Sequence, residues 1–315
     1  MRAILTNART PVKLVFSLLV IITSWLIFQL LAIFSGMMIF SMDFESAMRV
    51  LSDIHDPSGI NFIKYVQAIT SIGLFIISSL FIAWISDPDP ADFLRLKKMP
   101  DMPVISLVML LVIIILPFSN LMTELNGKLE LSGFLEKLQT FLENKEMEVE
   151  ELMKGFLHVK GIPAFFINVI VVALLPAIGE ELIFRGVFQK LFISLFKNMH
   201  WGIIITAFIF SALHLQFLSF LPRFILGIIF GYLVVWSHSL WPAIIAHFLN
   251  NLLAVIYYQL HYNGKIGNEP EMIGSPGYGL YLGFLSLMIS MGIIYLIFRK
   301  TTDKKDLRSN YTDTN

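Results

Sequence analysis

The 315-residue chain contains no cysteine, which excludes disulfides, thiolate metal sites, cysteine nucleophiles and prenyl or palmitoyl anchors. Charge is scarce, with 15% charged residues against about 25% in an ordinary soluble domain. Too little material is left for a soluble surface of this size. No excess of either sign compensates, because 23 Lys and Arg face 23 Asp and Glu; nothing in the overall charge suggests a nucleic-acid partner. The zinc-helix signature His-Glu-x-x-His, the Gly-x-Ser-x-Gly elbow and the P-loop are also absent. Metalloprotease chemistry of the zinc-helix type, soluble serine-hydrolase chemistry and NTPase chemistry therefore have no support.

What is present is long apolar sequence. Seven stretches carry no charge: Leu14 to Met42, Tyr65 to Ser86, Met102 to Thr123, Gly161 to Gly179, Asn198 to Pro222, Phe224 to Gly264 and Met272 to Phe298. A bilayer core requires about 20 apolar residues per helix. The 41-residue stretch from Phe224 to Gly264 is too long for one helix. It divides at Ser237, His238, Ser239 and Pro242, between Trp236 and Trp241, where the composition is that of an interfacial turn. The expected fold is thus an all-α polytopic membrane protein with about eight transmembrane helices. The first span is too long for the apolar core of a signal peptide and is read as a signal anchor.

Lys and Arg distribution predicts the orientation. With the N-terminus inside, inner segments hold 14 basic residues and outer segments nine, five of them in one connection between Glu124 and Lys160 that also carries eight acidic residues. Both termini and the segment Gly186 to Lys197 are expected to be cytoplasmic, in a multi-pass protein of the cell membrane. The long connection shows Leu131, Leu135, Leu138 and Leu142 at helical spacing and is read as an amphipathic surface helix, with a substrate lid as the alternative. Three regions follow: residues 1–160, with three transmembrane helices and the outer connection; 161–298, a catalytic membrane domain; and 299–315, a polar cytoplasmic tail.

Polar groups within the apolar stretches are the functional candidates, since each is costly in hydrocarbon. The fourth span ends in Glu180-Glu181-Leu182-Ile183-Phe184-Arg185. Glu181 and Arg185, four apart, face each other, whereas Glu180 is rotated about 100° and has no partner on its own helix. An unpaired carboxylate in such surroundings is a candidate general base. Charges at a helix end that merely face water are the plainer reading. The fifth span carries Phe210-x-x-x-His214 and the seventh His247-Phe248-Leu249-Asn250-Asn251; His247 and Asn251 share a face, and Asn250 points elsewhere. A lone helical histidine is more often a packing residue, and membrane asparagines often serve interhelical hydrogen bonds. A base, two imidazoles and an amide in successive spans nevertheless supply what activating a water and stabilising an oxyanion require. Gly227-x-x-x-Gly231 reads as intramolecular helix packing, and Arg223 beside Pro222 as the outer turn between the fifth and sixth spans.

Glu180-Glu181-x-x-x-Arg185, Phe210-x-x-x-His214 and His247-x-x-x-Asn251, in this order on separate helices, resemble the CPBP family of intramembrane proteases, which includes CAAX prenyl endopeptidase relatives and bacterial bacteriocin-processing or Abi proteins. The resemblance covers roughly residues 160 to 260. It implies hydrolysis of a peptide bond in a membrane-associated or lipidated, CAAX-like protein or peptide, in a cavity between helices four, five and seven. Carried over by position, Glu180 activates water and His214 positions or polarises it. His247 and Asn251 stabilise the tetrahedral intermediate, and Glu181 with Arg185 holds the first carboxylate in place. The partners so implied are a protein or peptide substrate and the lipid bilayer.

No metal is required by this reading. A zinc site formed by His214, His247 and Glu180 is the alternative, since two imidazoles and a carboxylate are an adequate ligand set; a ligating glutamate, however, is not free to act as base. Two other functions compete. In a transporter or proton-coupled carrier the same residues would form a relay, and a catalytically silent immunity or scaffold protein would retain only the fold. The absence of an inverted repeat and the crowding of polar groups into the C-terminal half favour the enzyme. Depth is a tension: at about 1.5 Å per residue, His214 lies about 20 Å from Trp201 but His247 only about 9 Å from Trp241.

Overall fold

The computed structural model describes residues 3–52, 59–129, 133, 136–158, 161–267 and 272–302. Among them every regular element is a helix. In chain order these are α1 (Thr10–Ile39), α2 (Phe44–Ser52), α3 (Ile60–Ser86), α4 (Pro90–Phe93), α5 (Met102–Ile114), α6 (Leu116–Gly127), α7 (Glu136–Leu157), α8 (Ile162–Phe196), α9 (Met199–Ala212), α10 (Phe220–Ser237), α11 (Trp241–Tyr262) and α12 (Leu280–Thr301). His55 and the tail beyond residue 302 lie outside the described residues, as do Leu131 and Leu135 of the predicted amphipathic run.

All eight apolar stretches become helical, but unequally. Six helices, α1, α3, α8, α10, α11 and α12, are long and apolar enough to cross a membrane, and the pair α5 and α6 would make a seventh, bent by 42°. The bend has a local cause in Pro117, which sits at the start of α6 and can neither donate to the helical ladder nor fit its interior. Ser286 of α12 repairs the break, its hydroxyl donating to Ile114 O (2.5 Å) and accepting from Phe118 N (3.3 Å). The fifth stretch shortens to α9, only 14 residues. Its remainder, from Leu213 to Ser219, forms turns that return the chain to α10.

The expected end of the fourth span is corrected. Rather than ending in the charged motif, α8 continues through Phe196 as one 35-residue helix, so the motif lies within it and not at an interfacial end. Gly186 and Val187, expected in a cytoplasmic segment, are buried. The helix tolerates these charges because each has an internal partner, as shown below for Arg185. Two π-helical segments interrupt α8, at Val169–Leu174 and Leu182–Phe188. Pro176 falls just after the first, where the backbone ladder is already broken.

Helices α8 and α9 form a tight antiparallel hairpin. Lys197 closes α8 in the left-handed conformation (φ 50°), and Asn198 caps α9 by accepting from His200 N and Trp201 N. A Cβ at Gly202 would stand 2.7 Å from Ile193 N and 2.9 Å from its Cα, so only glycine permits this approach. Next to it, Gly227 and Gly231 of α10 admit Ala207 and Ile203 of α9; the GxxxG motif serves packing within the chain. The segment 94–98 then ties the turn between α10 and α11. Leu240 N donates to Arg95 O (2.9 Å), Trp241 Nε1 to Leu96 O (2.9 Å) and Arg95 Nη1 to Val234 O (3.1 Å). Trp241, expected as an interfacial anchor, is partly buried against this segment.

Candidate active site

Antiparallel geometry brings the first two groups together. Glu180 stands 16 residues before the end of α8 and His214 15 residues after the start of α9, which at about 1.5 Å per residue puts both about 22 to 24 Å from the turn. Their side chains meet with His214 Nε2 4.0 Å from Glu180 Oε2. His247 arrives from α11, its Nε2 3.9 Å from the same oxygen. The three groups meet despite the unequal spacing of the two histidines from Trp201 and Trp241.

The protonation pattern of each imidazole follows from its second nitrogen. His214 Nδ1 lies 2.7 Å from Phe210 O, and a carbonyl can only accept, so Nδ1 carries the hydrogen. This is the physical content of the Phe-x-x-x-His spacing, one helical turn between carbonyl and imidazole. His247 Nδ1 likewise donates to Glu181 Oε1 at 2.8 Å. Both rings thus direct Nε2 at Glu180, which is itself largely buried, with 14% of its side chain exposed.

Glu181 is fully buried and shared. Besides His247, its Oε1 accepts from Arg185 Nη1 at 3.0 Å. Arg185 also donates to Gly227 O (3.2 Å) and lies over the faces of Phe210 (4.5 Å) and Phe230 (5.9 Å), so its charge is accommodated by a carboxylate, a carbonyl and two aromatic faces. The predicted pairing of Glu181 with Arg185 is present. The second contact, to His247 on another helix, had no signal in the spacing.

Glu180 and His214 separate two cavities. One, of about 770 Å³, is lined almost wholly by apolar side chains of α1, α3, α8 and α9, among them Leu18, Phe75, Phe184, Phe188 and Ile209. The other, of about 320 Å³, is the polar one, and Glu180, His214, His247, Asn250, Asn251 and Arg223 all line it. Asn251 is therefore where the motif predicts. Asn250, expected to point elsewhere, lines the same cavity and donates to Asn251 Oδ1 at 3.5 Å, because the cavity is wide enough to span the 100° between successive residues. Arg223 is likewise corrected: it sits in the first turn of α10 and faces the site. Its sequence signal was a lone charge between two long charge-free stretches. From α7, Met153 and Leu157 close one end of this cavity, while Glu146 accepts from Leu218 N (2.8 Å) and Ser219 Oγ (3.0 Å) in the loop before α10.

Among the described residues no group of three or more His, Asp or Glu donors is gathered closely enough to hold a metal ion. Tetrahedral zinc, at about 2.0 to 2.1 Å from its N and O ligands, would hold those atoms closer together than the 3.9 and 4.0 Å found here. The residues as placed do not fit a zinc ion.

A polytopic helical membrane protein with a carboxylate between two oriented imidazoles defines the class. Within it, residues 162–253 match the family model described as Type II CAAX prenyl endopeptidase Rce1-like. The matched segment holds all seven motif residues, in agreement with the resemblance they predict, and supports an intramembrane endopeptidase at the level of the family. No curated protein and no solved structure matches the chain.

Proposed function

We propose that this protein hydrolyses a peptide bond in a membrane-associated or lipidated, CAAX-like protein or peptide, with a water activated by Glu180 and no step routed through a metal. One observation carries the reading: Glu180 Oε2 faces His214 Nε2 and His247 Nε2 at 4.0 and 3.9 Å, a spacing too long for direct hydrogen bonds and suited to one water held among the three. Glu180 takes a proton from this water as its oxygen attacks the scissile carbonyl, and returns the proton to the leaving amine. His214, with Nδ1 occupied by Phe210 O, presents an acceptor that orients the water.

His247 has a different part. With Nδ1 given to Glu181, it can donate to a developing oxyanion only when Nε2 is also protonated, and the buried Glu181 carboxylate beneath it stabilises that imidazolium. Asn251, on the same face of α11, is the second donor, and Arg185 holds Glu181 in place. The apolar cavity meeting Glu180 and His214 suits the lipid or apolar portion of the substrate, and the polar cavity the peptide. Residues 161–298 carry this chemistry, in the cell membrane, with both termini cytoplasmic.

Glu180→Gln tests the reading, since the amide keeps the shape and cannot accept the proton. Purified variant and parent are compared on a prenylated peptide; the expected loss is about 10²- to 10⁴-fold in kcat, with unchanged thermal stability. Comparable turnover by the variant would remove Glu180 as base.

A further inference from the structure

Arg223 is a partly buried cation that the hydrolytic scheme leaves without a task. Its Nη2 donates to the neutral Gln216 Oε1 at 2.6 Å, and its Nη1 is buried with no hydrogen-bond partner. The nearby carboxylates are engaged elsewhere: Glu146 accepts from the loop at Leu218 and Ser219, and Glu180 faces the two histidines. Arg223 is also the fourth residue of α10, where the positive end of the helix dipole disfavours a cation. A guanidinium held there against both desolvation and the dipole forms, together with the helix end, an attractive site for an anion. It opens into the polar cavity that Glu180, His214, His247 and Asn251 line.

We infer that Arg223 binds a carboxylate of the substrate on the leaving side of the scissile bond. The inference rests on the hydrolytic reading of the same site. At about 320 Å³ the cavity lies at the small end of the range for ligand pockets, about 300 to 1,000 Å³, so the carboxylate belongs to a short peptide end close to the bond that is cut. Two sources share this chemistry, a free chain terminus and an acidic side chain near it. The guanidinium fork would anchor that group while the apolar portion occupies the larger cavity, which sets the direction in which the peptide lies across Glu180.

The full-length protein in lipid vesicles is given three quenched-fluorescent S-farnesylated peptides of CAAX type. One ends in a free carboxylate, one in a carboxamide, and one in a carboxamide with Asp as the terminal residue. The free acid, the Asp peptide or both are expected to exceed the plain carboxamide about 10- to 100-fold in kcat/KM, and their ranking names the source. Arg223→Gln should bring the ratio to about 1, mainly by raising KM for the acids, and Arg223→Lys should keep part of it. Equal rates on all three peptides by the parent protein would overturn the inference. So would an equal loss on acid and amide in Arg223→Gln, which would make Arg223 a partner of Glu180 alone. If the parent cleaves none of them, the hydrolytic reading fails separately, and displacement of a fluorescent farnesyl peptide by the same three still decides Arg223. Carboxylate-dependent displacement lost in Arg223→Gln, or in Arg223→Lys should the first variant not fold, sustains the site; displacement indifferent to the carboxylate, or none, refutes it.

Discussion

Glu181 answers to two groups at once, and substituting it should separate stability from rate. Glu181→Gln removes the carboxylate paired with Arg185 and leaves a fully buried guanidinium on Gly227 O and two ring faces. Breaking a buried pair from one side costs about 3 to 5 kcal/mol. The same change removes the charge beneath His247 Nδ1, so the imidazolium loses support and kcat should fall by about 10⁴-fold, as on loss of the aspartate charge in a serine-protease triad. Arg185→Met strands Glu181 and should destabilise by a similar amount. In Glu181→Gln/Arg185→Met, no buried charge is left unpaired. Stability should return to within about 1 to 2 kcal/mol of the parent, since exchanging a buried pair for neutral groups of like volume is often nearly neutral, while kcat stays low. Denaturant titration of the four proteins in micelles gives the coupling energy, and peptide turnover gives the rate. Additive stability losses would refute the pairing; recovery of kcat in the double variant would refute the role given to the contact with His247.

Gly202→Ala should lose about 1 to 3 kcal/mol together with most of the activity, because the added methyl meets the backbone of Ile193 and spreads the hairpin that aligns Glu180 with His214; normal turnover would deny that alignment. Single cysteines at Lys145 and Lys197, introduced into a chain that has none, report sidedness to an impermeant thiol reagent in intact cells. Labelling is expected at Lys145 and not at Lys197, and the reverse would invert the orientation. Metal analysis of the active protein is expected to find no stoichiometric zinc. About one zinc per chain, with activity lost on stripping and restored by zinc alone, would replace the water held by Glu180 with a metal-bound one.

The fold was legible wherever hydrocarbon alone dictated it, as in α1, α11 and α12, where an absence of charge nearly coincides with a span. It was obscured where a charge finds a partner inside. Taking charge as the end of a span put the start of α3 after Lys64 and the end of α8 at the charged motif from Glu180 to Arg185. Lys64 is in fact buried, donating to Asn168 Oδ1 (2.7 Å) and Phe156 O (3.2 Å), and Lys190 lies over the ring of Phe93 (3.9 Å). Those partners come from distant segments, so no window along the chain could show them. At the site, spacing of four placed Glu181 with Arg185, Phe210 with His214, and His247 with Asn251, because all are one turn apart. What the spacing could not convey was the sharing of Glu181 across helices, or that Arg223, beside a proline in an apparent turn, opens into the same cavity.

The three ties from residues 95 and 96 to the start of α11 and the end of α10 carry a consequence for how the chain tolerates change. No group of the 94–98 segment lines either cavity, yet it holds the start of the helix that carries His247. Alignment and chemistry are thus assigned to different parts of the molecule. A rearrangement that left every motif residue untouched but shortened the connection between α4 and α5 would slide α11 along its axis and silence the site, much as a key cut correctly fails in a lock whose cylinder has been moved.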